Sequence, residues 1–287
     1  MFATYLPASS GYEFDGTGER GLPVLWIWGG RFEVVEGQSM GVFAGCVVDA
    51  ASFGNSDAVS PGAIVTLFGS RMGPREGVAF QLENGRVPAA LGWTRVLVNG
   101  EAVPVLYASY WQVNAILPYS LPVGTRPVIQ VESDGTAGNE LGDFHVQRAG
   151  LSLFRSDDSA LRPAAALNED YTVNTPGNPA WRGSSVMLFG TGGGATVPPS
   201  VAGEVTPLEI RVLQDAPQVR IWGGPPVMVE YAGAAPGLLA GVTQINIKLP
   251  DTIPEIRGFP RGVVPLQVEM PGVSFYPGYV TVAVKDE

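Results

Sequence analysis

The chain is poor in the residue types on which most enzyme mechanisms and disulfide scaffolds depend. Of its 287 residues, one is cysteine (Cys46) and one is histidine (His145). A single cysteine excludes an intrachain disulfide, and its expected role is that of a small buried hydrophobe. A single histidine leaves one imidazole base for nucleophilic chemistry. Charge is also scarce, at 15% of residues, and 17 Lys and Arg against 27 Asp and Glu give a formal net charge of −10. The basic residues are scattered singly, so the cationic stripe that nucleic acid or an anionic membrane surface requires is missing, and neither is an expected partner. No apolar run approaches the roughly 20 residues of a membrane-crossing helix. The most apolar early stretch, Leu22 to Trp28, is far too short. Met1-Phe-Ala-Thr-Tyr-Leu-Pro7 has no basic segment and no long apolar one, so no signal peptide is expected in the chain as written. Finally, no stretch of ten or more residues keeps helical spacing, and almost no helix is expected.

What is present is glycine (38), proline (25) and a 45% share of apolar residues. That mixture is too apolar and too weakly charged for disorder, and it reads as many short strands joined by turns. The length fits about two domains, and a repeat supports the count. Gly62-Ala-Ile-Val-Thr-Leu-Phe-Gly69 returns as Gly183-Ser-Ser-Val-Met-Leu-Phe-Gly190, at an offset of 121 residues. Val103-Pro-Val-Leu-Tyr-Ala108 returns as Val227-Met-Val-Glu-Tyr-Ala232 at 124, and Gln112-Val-Asn-Ala-Ile-Leu-Pro118 as Gln244-Ile-Asn-Ile-Lys-Leu-Pro250 at 132. A period this long means tandem domains rather than a solenoid. The growth in offset places an insertion, Pro236 to Thr243, in a loop of the second copy, where insertions are tolerated.

In the first copy, strands are expected at Ala63–Phe68 (ended by Gly69), Thr94–Val98, Val103–Tyr107, Gln112–Leu117, Val128–Glu132 and Phe144–Gln147. Asn99-Gly100 and Asp134-Gly135 are hairpin signals of the type I′ turn. In the second copy, Ile245, Ile247 and Leu249 alternate with Gln244, Asn246 and Lys248, and Val280, Val282 and Val284 do the same, so one strand face is buried. About seven short strands per roughly 100 residues is the count of an immunoglobulin-like sandwich. The expected fold class is therefore all-β: two tandem immunoglobulin-like β-sandwiches, residues 46–148 and 149–287, with a short N-terminal β extension over 1–45. The extension holds a candidate hairpin, Val24–Trp28 with Arg31–Val35 across Gly29-Gly30. Its abrupt start reads as a piece of something longer. Residues 149–162 connect the domains and are short and partly apolar (Leu151, Leu153, Phe154), so a preferred packing angle is expected.

These residues carry a resemblance. Cys46-Val-Val-Asp-Ala-Ala-Ser-Phe53, Ser60 to Ser70, Gln112 to Tyr119, Ala164 to Asp170, Asn178-Pro-Ala-Trp-Arg-Gly183 and Gln244 to Pro250 resemble the Solibacter-type carboxy-terminal domain found in large acidobacterial proteins. The resemblance covers about residues 46 to 284. Each half is also similar to the immunoglobulin-like IPT/TIG domain. The resemblance implies a secreted or cell-surface setting behind other modules such as β-propellers, and it carries no catalytic residues. Ala3-Thr-Tyr-Leu6 looks like the start of a propeller repeat, although Pro7-Ala8 replace its usual glycines.

No catalytic, cofactor or metal site is expected. His145 lies in a strand-like stretch without a Gly-x-Ser-x-Gly elbow elsewhere, since Ser184-Ser185 open a strand. Gly190-Thr-Gly-Gly-Gly194 is followed by Ala195-Thr-Val-Pro-Pro199 rather than by the helix a phosphate cradle needs, so it reads as a loop. Asp157-Asp158 and Glu169-Asp170 lack calcium-loop spacing, and Asn168-Glu-Asp170 with Asn174 reads as a hydrogen-bonded turn with an ion site as the alternative. The recurring Gln112/Asn114 and Gln244/Asn246 are expected to hold adjacent loops through amide bonds to backbone. The best ligand candidates are Tyr110, Trp111 and Tyr119, near the turn between two strands, as a stacking platform for sugar rings. Tyr107 has its equivalent in Tyr231 and is assigned to the core. The sequence reading is a non-catalytic spacer, anchor or assembly module of an extracellular bacterial protein. Its expected partners are other modules or cell-surface proteins, and the alternative is a carbohydrate-binding module that takes polysaccharide.

Overall fold

In a computed structural model of the chain, the described residues are 14–17, 23–27, 30–33, 41–54, 57–273 and 278–285, and none of these is helical. The extension contributes β1 (Phe14–Thr17), β2 (Pro23–Ile27) and β3 (Gly30–Glu33), an antiparallel three-stranded meander. The β2–β3 pair is the expected hairpin, with Ile27 opposite Gly30.

The first sandwich comprises β4 (Phe43–Asp49), β5 (Ala58–Val59), β6 (Ile64–Ser70), β7 (Val78–Ala79), β8 (Thr94–Val98), β9 (Glu101–Val103), β10 (Val105–Ala108), β11 (Gln112–Ile116), β12 (Ile129–Ser133), β13 (Thr136–Leu141) and β14 (His145–Val146). One sheet has the order β4-β6-β11-β10-β7 and the other β13-β12-β8-β9, while β14 pairs with β5 in parallel. Inward residues of the two sheets, among them Leu67, Val113, Val96 and Val131, form the core. Asn99-Gly100 and Asp134-Gly135 all take positive φ, as type I′ turns demand.

The second sandwich runs through β15 (Ser152–Leu153), β16 (Ala166–Asn168), β17 (Ala180–Trp181), β18 (Ser185–Thr191), β19 (Thr196–Val197), β20 (Val212–Leu213), β21 (Gln218–Ile221), β22 (Pro226–Ala234), β23 (Val242–Lys248), β24 (Val263–Glu269) and β25 (Val280–Lys285). Its strands follow the path β15-β18-β23-β22-β21-β24-β25-β17. The nine-residue β22 pairs with β21 through its first residues and with β23 through the rest, so one strand serves both sheets. In the first copy the same route is split at Pro104 into β9 and β10. Proline has no N–H to give the ladder, which accounts for the break. Both copies bulge at the same place, between Val105 and Tyr107 and between Val229 and Tyr231.

The repeated motif now has a physical reading. Gly62 and Gly183 have φ of 73° and 70°, a left-handed conformation in which a side chain is strained. Each also lies under a side chain, Tyr119 over Gly62 and Asp251 over Gly183, and these two are equivalents at the offset of 132. Gly69 does not end its strand, as the sequence had implied: β6 continues through Ser70. A Cβ on Gly69 would run into the Phe43 carbonyl of β4, and one on Gly190 into the Ser152 carbonyl of β15. The glycines thus permit close approach of a neighbouring strand. Between them, β6 and β18 are buried on both faces over most of their length, as expected of central strands.

The strand β13 has no counterpart in the sequence reading. It is polar and mostly exposed, and it is held to the other sheet by Asn139, whose amide accepts from Ala44 N and donates to Ala44 O, both at 2.9 Å. Gly69→Ala should destabilise the chain by about 2–3 kcal/mol, because backbone must move to admit the methyl. Gly177→Ala, whose Cβ would have nothing nearer than Thr175 Oγ1 at 3.9 Å, should change stability far less. Urea unfolding of the two variants checks this, and equal losses would contradict it.

Candidate functional site

Tyr110 and Trp111 occupy the tight turn from β10 to β11. Ser109 shapes that turn: its N–H donates to Gln112 O at 2.8 Å, and its hydroxyl accepts from Gln112 N at 3.1 Å. The flanking segment pins the turn from outside, with Gly69 N donating to Trp111 O, Met72 N to Tyr110 O, and Tyr110 N to Pro74 O. The two rings meet edge to face with centroids 4.5 Å apart, and the Arg75 guanidinium stands 5.4 Å from the Tyr110 ring. Trp111 keeps 40% of its surface exposed. The result is an apolar ring surface fixed from several sides, with a phenol and a cation at its border.

Tyr119 is not part of that surface. It lies beyond the opposite end of β11, a strand that is itself on the order of 17 Å long at about 3.4 Å per residue. Its ring covers Gly62, and its hydroxyl faces the Gly241 backbone and the Ser200 side chain of the second sandwich. Burial is the main cause that pushes its phenol from 10.0 up to about 12. The sequence reading is corrected here: Tyr119 is a junction residue.

Around Tyr119 the two sandwiches share one interior. Ile64 N donates to Thr191 Oγ1 at 2.8 Å, and that hydroxyl donates to Gly241 O at 2.8 Å. Ser60 Oγ donates to Gly192 O at 3.0 Å, and Val87 N to Gly203 O at 2.8 Å. An ion pair joins Arg86 to Glu204, and Arg148 makes two 3.1 Å bonds to Asp215. Ile64, Leu106 and Ile116 of the first sandwich pack in one cluster with Phe154, Leu239 and Val242 of the second. The insertion read as a permissive loop, Pro236 to Thr243, is therefore an interdomain wedge. The connection contributes too, since Leu151 and Leu153 sit in the second core and Phe154 in the shared cluster.

The glycine-rich loop is part of the same junction. A Cβ on Gly192 would press on Gly150 O, one on Gly193 on Thr243 Oγ1, and one on Gly194 on Arg148 O. Its glycines serve close packing of backbone, and β19 follows instead of a helix. Asn174 is buried, donating to Asn168 Oδ1 and Ala283 O and accepting from Ala283 N. Asp170 Oδ1 accepts from Thr172 N and Oγ1, which holds its carboxyl below the usual range. His145 is exposed on β14, and Asp157 Oδ1 accepts from Ser159 N. Cys46 is half-buried against Val48 and Phe68, and burial pushes its thiol up. The recurring amides bond to each other rather than to a loop: Gln112 Nε2 donates to Asn114 Oδ1, and Gln244 Nε2 to Asn246 Oδ1, both at 2.9 Å.

A second aromatic surface was not read from the sequence. Trp222 follows β21, Tyr279 precedes β25, and Phe259 lies in the loop leading to β24, so three adjacent strands bring together rings 37 and 20 positions apart. Their centroids are separated by 5.8, 5.3 and 5.3 Å at steep interplanar angles. The signal in the sequence is slight: Trp222 and Tyr279 directly flank strands, and Phe259 lies four residues before one.

No family model and no curated protein matches the sequence. Among solved structures the chain is similar to a surface glycan-binding protein from Prevotella bryantii, at 11% identity and a TM-score of 0.25, covering 85% of this chain and 41% of that one. It is similar also to a surface glycan-binding protein of the Bacteroides ovatus mixed-linkage glucan utilization locus, solved with a mixed-linkage heptasaccharide (14%, TM-score 0.28, 80% and 44%). A third is a gamma-CGTase from alkalophilic Bacillus clarkii (10%, TM-score 0.26, 96% and 33%). The chain spans less than half the length of each. At TM-scores this low the likeness assigns no family, ligand or activity.

The phenol of Tyr119 gives a pH signature. Because its folded-state value lies above the ordinary one, the stability tied to the neutral phenol is complete below pH 10.0 and is lost as pH rises through about 12. Wild type should lose stability more steeply over that window than Tyr119→Phe in alkaline urea titrations. Parallel curves would contradict the buried placement.

Proposed function

We propose that the chain is a non-catalytic binding module of a secreted or cell-surface bacterial protein, in which two joined sandwiches present surface aromatic residues to polysaccharide. The observation that carries this reading is the Tyr110–Trp111 pair, half-exposed yet pinned by backbone bonds on both sides. Carbohydrate ligands offer C–H faces to aromatic rings and hydroxyls to polar rims, and a platform fixed beforehand loses little entropy on binding. Membership of the Solibacter-type family, and with it the extracellular setting, belongs to the proposal.

A second reading, a spacer or assembly element, is favoured by the interdomain junction, since a shared interior holds two domains at a fixed relation. Affinity electrophoresis through gels containing soluble neutral polysaccharides separates the two. Retardation by at least one glycan is expected, with Trp111→Ala weakening it about tenfold, or about 1.4 kcal/mol, at unchanged melting temperature. Unaltered mobility across the panel would reject binding and leave the spacer reading.

A further inference from the structure

The aromatic surface of the second sandwich adjoins a crevice between the domains. Ser52 of the first sandwich and Ser152, Arg155, Arg162 and Tyr279 of the second line it, and it encloses about 50 Å³. Tyr279 belongs to both features: it closes the triad with Trp222 and Phe259, and it forms one wall of the crevice. The Arg162 guanidinium lies 5.3 Å from the Tyr279 ring centroid. We propose that this composite is a second binding site, specific for carboxylated polysaccharide such as one built of uronic acid units. It rests on the reading of the chain as a glycan-binding module, and it assigns the charge class of the ligand.

Size comes first. A volume of about 50 Å³ is far below the roughly 300 Å³ at which pockets take drug-sized ligands. On this measure one water needs about 10–15 Å³, so the crevice has room for a few waters or for a group of the size of a carboxylate. A sugar ring therefore stays outside, on the aromatic face, and only its carboxylate enters. Trp222 is 47% exposed and offers that face.

Charge comes second. In a chain of net charge −10 with few basic residues, two guanidiniums lining one small crevice run against the overall field. A planar fork of N–H donors matches a carboxylate, and stacking on an aromatic ring leaves the fork's edge available. Of the two, Arg162 is the more available to a ligand: Asp158 forms an ion pair with Arg155 at 3.9 Å, and Glu269 is paired with Arg220 at 3.2 Å. Asp49, behind the crevice, already accepts from Ser52 N and Oγ and from Ala51 N.

Backbone geometry comes third. Arg162 has a φ of 54°, in the left-handed region that costs a non-glycine residue free energy. Two backbone bonds keep it there, Arg162 N to Ser159 O and Thr281 N to Arg162 O, both at 2.9 Å. The conformation brings the guanidinium alongside Gly278 and Tyr279, and Gly278 itself has a φ of 90°, a left-handed conformation that favours glycine.

The test uses the whole chain and two probes with one backbone, polygalacturonate and its fully methyl-esterified form, in affinity electrophoresis and titration calorimetry. Polygalacturonate should bind, the ester at least tenfold more weakly. Trp222→Ala and Arg162→Gln should each weaken polygalacturonate binding at least tenfold, while Leu208→Ala, at a highly exposed residue outside both aromatic surfaces, leaves it unchanged. Trp222 is half-exposed, so its variant retains the native melting temperature even if Arg162→Gln does not. Equal binding of acid and ester, equal retardation by dextran sulfate, or full binding by Trp222→Ala would overturn the proposal. Neutral glycans bound through Trp111 with polygalacturonate ignored would sink this site and leave the first platform standing. Polygalacturonate bound through Trp222 with every neutral glycan ignored would do the reverse.

Discussion

One buried hydroxyl ties the two halves of the molecule together. Thr191 is fully buried at the last position of β18, and its Oγ1 accepts the Ile64 amide and donates to the Gly241 carbonyl. Both partners are backbone groups out of reach of water, and each would cost on the order of 1–3 kcal/mol if left unpaired. The bonds form only if the second copy of the strand motif arrives in register with β23, if Gly192 to Gly194 let backbone approach closely, and if the inserted segment folds back as a wedge. The first copy carries the strand motif but neither the glycine run nor the inserted segment.

The consequences reach the candidate sites. Tyr119, spent on sealing the junction, is withdrawn from ligand contact, while Tyr110 and Trp111 remain at the other end of β11. The crevice beside Tyr279 exists because Ser52 of one sandwich meets Arg155 and Arg162 of the other across the same seam. A change in the angle between the domains would reshape that crevice without touching the triad, whose rings come from neighbouring strands of one sheet. The junction therefore couples domain packing to the chemistry that a ligand would meet.

Much of the architecture was legible because its causes are local. The alternation around Ile245 and Ile247 gave β23, the Asn-Gly and Asp-Gly pairs gave the hairpins, and the paired glycines gave the repeat. What was not legible depends on distant partners. Gly69 reads as a strand end until β4 is seen pressing on it. β13 has no apolar rhythm, since Asn139 substitutes side-chain amide bonds for a buried face. Tyr119 stands eight positions from Trp111 in sequence, and proximity along a strand was mistaken for proximity on a surface. The insertion looked like a tolerated loop because its apolar residues have distant partners, Leu239 packing against Ile64, Leu106 and Ile116 of the first sandwich and Leu238 against Met187 and Phe189 of β18. Trp222, Phe259 and Tyr279 carry no periodicity, and only the order of β21, β24 and β25 assembles them.

The account stands on the two sandwiches folding as one cooperative body through the Thr191 junction. Differential scanning calorimetry of wild type and Thr191→Val tests that most directly. Wild type should show a single transition whose calorimetric and van't Hoff enthalpies agree, and Thr191→Val should split it into two, the domains then melting separately. Two independent transitions already in wild type, or no effect of the substitution, would contradict the account.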